Sequence, residues 1–156
     1  MLFRSAVAGV ASATSRRPVA VATPFAIAST SKAFTAAVAL LLDRCGLLPL
    51  STRASTLVPE AEVQPEVTIA QLLLHRSGMS DWLTDKDSRM GWLSRNQNAK
   101  VTPMTAVTGL LPHTAVGSFA YSNSGFTLVT IAAERATGAD WKTLVQRLLQ
   151  IGRAHV

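Results

Sequence analysis

Ser29 and Lys32 stand three residues apart at the start of a segment otherwise built of Ala, Leu, Val and Phe, "FAIASTSKAFTAAVALLLDRCG". On a helix that spacing places both side chains on one face. The positive end of the helix dipole favours a developing anion on Ser29. A lysine desolvated by an apolar wall, for which Phe25, Ile27 and Phe34 are the candidates, can lose its proton and then accept the serine proton. The same pair also suits an ordinary polar helix beginning, because Ser is a common cap. A second pair lies in "FAYSNSG", where Tyr121 and Asn123 are two apart. In an extended segment alternate residues point the same way. A phenol that relays a proton near a cationic lysine and an amide that binds a substrate carbonyl would then face one pocket. A surface loop explains the second pair equally simply. His75, in "LLLHRSGMSDW", invites a role as base for Ser29. Its place in the last turn of a short helix points instead to a structural capping cation.

These groups need elements to hold them. From Ser31 onward Phe34, Ala37, Val38, Leu41 and Leu42 follow the spacing of one helix face, and Gly46 is a natural stop. "VTIAQLLLHRSG" reads as a short helix, with Thr68 as N-cap, Gln71 completing a capping box and Gly78 as terminator. Thr102 and Pro103 open another helix as N-cap and first residue. "FTLVTIAAERATG" is helical, with Leu128, Ile131, Ala132 and Arg135 on one side and Gly138 closing it. Asp140 caps a further helix through "ADWKTLVQRLLQ". The extended pieces are early: a strand over residues 6–13, a polar turn at "TSRRP", then "VAVATPFAIAS". The stretch "LLPLSTRASTLVPEAEVQPE" is loop with one turn of helix. Met79 to Lys100, with Trp82 and Trp92, has the look of an insertion.

Composition narrows the classes. The chain has 156 residues, 48% hydrophobic and 15% charged, which suits a globular protein. A net charge of +6 raises the question of nucleic acid. Arg16-Arg17 is the only adjacent basic pair, and no basic stripe is interleaved with aromatics, so no nucleic-acid partner is expected. The longest apolar run, about Ala33 to Leu42, is well short of the roughly 18 residues of a spanning helix, so no integral membrane segment is expected. Cys45 is the single cysteine, which excludes an internal disulfide, and no Cys/His metal spacing surrounds it.

Taken in order, "FAIASTSKAFTAA", "VTIAQLLLHRSGM" and "GSFAYSNSGFTLV" resemble the serine hydrolases related to class C β-lactamases, which include D-alanyl-D-alanine carboxypeptidases and esterases. Each motif is weak alone; three in register are specific. The resemblance covers nearly all of Gly9 to Gln150, and "GLLPLSTRASTLVPE" is similar to the family's segment after the nucleophile helix. It implies that Ser29 is the acylated nucleophile and Lys32 its proton partner. Tyr121 would be the general base, helped by Lys32, and Asn123 would orient the substrate and hold Lys32. The Ser29 N–H would be one oxyanion donor. The implied substrate is a small-molecule or peptide ester or amide, with no metal or cofactor. The implied fold is an α/β (α+β) sandwich of the β-lactamase/transpeptidase type, of which this chain would carry the helical part, an early strand and little of the sheet.

Two departures accompany the resemblance. The family's third motif, Lys-Thr-Gly or His-x-Gly, does not follow Tyr121, and the connector "LPLSTRAST" is less acidic than usual. The ends are unlike protein. "LFRS" after Met1 and the final "IGRAHV" match translated sequencing adapter, which leaves residues 6–150 as a partial hydrolase domain. Such a fragment is expected to be inactive by itself. The other readings are a non-catalytic binding member of the same fold and a small helical interaction protein.

Overall fold

Local capping chemistry sets most of the helix boundaries. Thr68 accepts from the Gln71 N–H at 3.3 Å while the Gln71 side chain accepts from the Thr68 N–H at 3.0 Å, so two orphan donors are satisfied reciprocally. Thr102 forms the same kind of box with Thr105, with Pro103 as the first helical residue. Asp140 Oδ1 accepts from the Thr143 N–H at 2.9 Å. The computed structural model describes residues 5–83, 102–110 and 113–149. The adapter-like ends, apart from Ser5, and most of the insertion-like stretch, including Trp92, lie outside the described residues.

The chain divides into two compact units, Met1–Thr30 and Ser31–Val156. In the first, the strand expected over residues 6–13 is reduced to a single antiparallel bridge, Val10 to Pro18. Arg17 C=O accepts from the Ala11 N–H at 2.7 Å, Gly9 C=O accepts from the Val19 N–H at 3.1 Å, and Arg16 turns the chain with φ of 54°. Small residues and the fixed ring of Pro18 offer little to extend this pairing into a ladder. The unit ends in a 3₁₀ turn, Ala28–Thr30.

The second unit is built of six helices among the described residues: α1 (Ser31–Arg44), α2 (Ala54–Leu57), α3 (Ile69–Leu73), α4 (Pro103–Val107), α5 (Asn123–Thr137) and α6 (Trp141–Leu149). α5 is central and packs against all the others. Its Leu128, Val129 and Ala132 are fully buried with Val38 and Leu42 of α1, Leu72 of α3 and Val107 of α4. A Cβ on Gly125 would lie 3.2 Å from the Leu72 carbonyl oxygen, which is why α5 approaches α3 so closely there. The buried side of α1 is Thr35, Val38, Ala39 and Leu42, rotated slightly from the face expected, with Phe34, Ala37 and Leu41 at its margin.

Two expectations about helix bounds are corrected. α3 stops at Leu73, well before Gly78, and His75 itself takes the left-handed conformation, with φ of 57°. α5 begins at Asn123, because Ser122 Oγ caps the Gly125 N–H at 3.2 Å and turns the chain helical there. Among the described residues the sheet is represented only by two isolated bridges, the second joining Arg53 to Thr68. No helix among them is long and apolar enough to cross a membrane.

Candidate active site

Lys32 is the second residue of α1 and is half-buried. Its Nζ donates to Asn123 Oδ1 at 2.7 Å, a hydrogen bond between residues 91 apart in sequence. Asn123 can reach it because the Ser122 cap places it at the first position of α5, and α5 packs on α1. The Tyr121 ring lies beneath Nζ, 4.8 Å to its centroid, and the Phe126 ring is 5.6 Å away. These two aromatics supply the wall expected of Phe25 and Ile27, which are exposed. A cation over ring faces is held by their quadrupoles.

The structure therefore brings together three of the four residues singled out in the sequence: Lys32, Tyr121 and Asn123. Ser29 belongs to the other unit. It is exposed, in the 3₁₀ turn, and three residues before Lys32 in the chain. The residue before it, Ala28, has φ of 45°, a left-handed conformation uncommon for a residue with a Cβ. Non-glycine residues held in this region recur at functional sites, where surrounding structure maintains the strain.

His75 differs from its expected role. It is not a cation capping α3. Its Nδ1 accepts from the Ser122 N–H at 3.1 Å, which requires a lone pair on that nitrogen. Its ring stacks on Tyr121 with centroids 4.5 Å apart and planes at 30°, and it meets Phe126 at 5.1 Å and the edge of Phe119 at 5.9 Å. Burial first, then the neighbouring Lys32 charge, push the imidazole below its ordinary range, against the pull of Asp81. His75 thus works as an uncharged support for the Tyr121 ring and for the chain entering α5. Its carbonyl also accepts from the Ala120 N–H at 2.8 Å.

Asp81 was not anticipated from the sequence. It is buried, and both its oxygens accept from Asn123 Nδ2, at 3.2 Å and 2.9 Å. Its Oδ1 also accepts from the Leu83 N–H at 3.0 Å. The adjoining Trp82 N–H donates to Ser124 Oγ at 2.9 Å, and Ser124 is fully buried in the first turn of α5. The loop carrying Asp81 is anchored behind it at Gly78, with φ of 73°, whose carbonyl accepts from the His113 N–H at 2.8 Å. A Cβ there would come within 2.5 Å of the Thr114 carbonyl oxygen, so glycine is required. The one sequence signal was the close run Ser77–Asp81 after the short helix.

The Beta-lactamase family profile matches residues 2–155 of this chain. Among characterised proteins the chain is 29% identical over 146 residues to penicillin-binding protein 4* of Bacillus subtilis (strain 168), covering 88% of this chain and 31% of that one. Among solved structures it is similar to a penicillin-binding protein from Bacillus halodurans. The TM-score is 0.75 and the identity 27%, over 90% of this chain and 45% of that one. A D-stereospecific amidohydrolase from Streptomyces sp. matches with a TM-score of 0.66 and 27% identity, over 79% of this chain and 40% of that one. The chain spans less than half the length of each of these relatives. Their fold is the β-lactamase/transpeptidase type, and the helical assembly described above corresponds to part of it.

Proposed function

The chain belongs to the Beta-lactamase family, and from that premise we propose that it is the nucleophile-bearing part of a serine hydrolase that forms an acyl-enzyme on an ester or amide. The observation that carries this reading is the 2.7 Å hydrogen bond from Lys32 Nζ to Asn123 Oδ1, with the Tyr121 ring directly below Nζ. It joins two weak sequence motifs into one chemical group.

In this reading Ser29 Oγ attacks the substrate carbonyl carbon as its proton passes to the Tyr121–Lys32 pair, with Tyr121 as general base and Lys32, as an amine, taking the proton onward from it. The tetrahedral oxyanion is received by the Ser29 N–H as one of its donors. Collapse expels the alcohol or amine, which takes the proton back, and leaves the acyl group on Ser29. Water then repeats the sequence and releases the acid. Asn123 holds Lys32 and helps orient the substrate. The relatives named as penicillin-binding proteins and D-stereospecific amidohydrolase support acyl transfer on amide-like bonds as the substrate class. No metal or cofactor enters the scheme. We further propose that residues 1–156 alone do not turn over esters, since the relatives are more than twice as long.

The test is a rapid-mixing experiment with p-nitrophenyl acetate on the longest reading frame that contains this sequence. The expected result is a nitrophenol burst matching the enzyme concentration and absent in Ser29→Ala. A burst unchanged in Ser29→Ala overturns the assignment. Clear steady-state hydrolysis by the 156-residue chain, lost in Ser29→Ala, overturns the proposal that it is inactive.

A further inference from the structure

We propose that Asp81 is a positioning residue of this site: it locks the Asn123 carboxamide so that Oδ1 alone faces Lys32. The proposal deepens the acyl-transfer reading and rests on it for its kinetic consequence, though the lock itself does not.

An asparagine amide has a carbonyl end that only accepts and an amino end that only donates, and the two are nearly the same shape. Which end meets Lys32 is therefore a choice the surroundings must make. While Lys32 is an ammonium it can only donate, and it selects the carbonyl by itself. Proton transfer from the serine side requires Lys32 as an amine at some point in the cycle. A neutral amine carries a lone pair, and a flipped Asn123 would donate an N–H to it. That hydrogen bond would occupy the electron pair needed for the proton.

Asp81 removes the choice. A carboxylate only accepts, and its two oxygens stand 3.2 Å and 2.9 Å from Asn123 Nδ2. Flipping the amide would turn its carbonyl oxygen onto that carboxylate, which is only 8% exposed, and set two acceptors against each other where water has little access to the carboxylate. The carboxylate is itself fixed. It accepts from the Leu83 N–H at 3.0 Å, and the next residue, Trp82, is fastened to Ser124 at 2.9 Å. The lock and the amide it holds are thereby tied to the same first turn of α5. The order Asp81, Asn123, Lys32 runs from pure acceptor through a fixed amide to the proton-transferring nitrogen.

The test uses the longest reading frame containing this sequence, labelled with ¹⁵N-asparagine, and the variants Asp81→Ala, Asp81→Asn, Asn123→Ala and Asp81→Ala/Asn123→Ala. In the parent protein the Asn123 side-chain amide protons, assigned by their absence in Asn123→Ala, exchange slowly with water. In Asp81→Ala they exchange at the rate of an exposed amide while circular dichroism is unchanged. Ser29 acylation by a fluorophosphonate falls about 100-fold in Asp81→Ala, the scale of a misplaced catalytic group. Asp81→Asn keeps one acceptor oxygen and recovers to within about tenfold of the parent. Because Asp81 acts through Asn123, the double variant is no slower than Asn123→Ala alone. Losses that multiply in the double variant, or fast amide exchange in the parent protein, overturn the proposal. If the parent protein is not acylated at Ser29, the hydrolase reading fails, and amide exchange in Asp81→Ala decides the lock. Should Asp81→Ala lose its fold, the near-isosteric Asp81→Asn supplies both readings.

Discussion

The two ends of α5 are both tied to distant chain by polar side chains, and they behave differently. At the N-terminal end Asn123 bonds Lys32 at 2.7 Å and Asp81 at 2.9 Å, with Asp81 buried and Lys32 half-buried. Near the C-terminal end Arg135 makes a two-pronged contact with Glu60, at 2.8 Å and 3.0 Å, and donates to the Leu57 carbonyl at 2.8 Å. The distances are alike, but the Arg135 and Glu60 side chains are 36% and 53% exposed. Water and salt screen the second contact and replace either partner if it is removed. At the first, Asp81 is buried, and losing its partner leaves a carboxylate that water reaches poorly. Access of solvent, rather than length of contact, separates a site from a surface ornament.

The largest effect expected from breaking this contrast is at Lys32. Lys32→Ala should slow Ser29 acylation about 1000-fold, in the range of a lost proton-transfer group, with helix content unchanged by circular dichroism. Glu60→Gln should leave the same rate untouched; a slowed rate in Glu60→Gln would dissolve the distinction between the two ends.

A smaller effect is expected from acid. His75 is held below its ordinary range in the folded state, so the unfolded chain takes up a proton more readily. Stability that depends on the neutral ring is complete above about pH 6.5 and is lost as pH falls from there toward the depressed folded value. Thermal melts of the parent protein between pH 7.5 and 5 should show this loss, and His75→Gln should flatten it. Equal slopes in the two proteins would remove His75 from the N-terminal end's support.

The smallest effect is at the other end. Arg135 holds the Glu60 carboxyl below its usual range, so whatever the pair contributes is present above that range and fades as pH drops through the lowered value. Glu60→Gln should leave the melting temperature at neutral pH and 0.15 M salt within experimental error of the parent's.

What could be read in the sequence follows the reach of the interactions. The boxes at Thr68–Gln71 and Thr102–Thr105 and the stop at Gly138 are made within a few residues, and Thr68, Thr102, Gly138 and the cap at Asp140 were legible as such. The start of α5 was not, because Ser and Asn in "YSNSG" suit a turn as well as a cap, and only packing on α1 and α3 decides. His75 suggests a capping cation because its place at the end of an apolar helical run is visible in the sequence while its packing against Tyr121 and Phe126 is not. Lys32, Tyr121 and Asn123 were joined through resemblance to a family; no spacing rule connects residues 91 apart. Asp81 escaped altogether. It sits 42 residues from its partner, at the edge of a stretch that read as an insertion, and a buried carboxylate is identifiable only once the groups around it are in place.

The central claim is that Ser29 is the group acylated and that Lys32 takes part in its proton transfer. It is tested most directly by trapping the longest reading frame containing this sequence with a penicillin or a fluorophosphonate and mapping the adduct by peptide mass spectrometry. The account predicts one adduct per chain, on the peptide bearing Ser29, absent in Ser29→Ala and much slower to form in Lys32→Ala. An adduct on any other residue, or one that forms equally fast without Lys32, would contradict it.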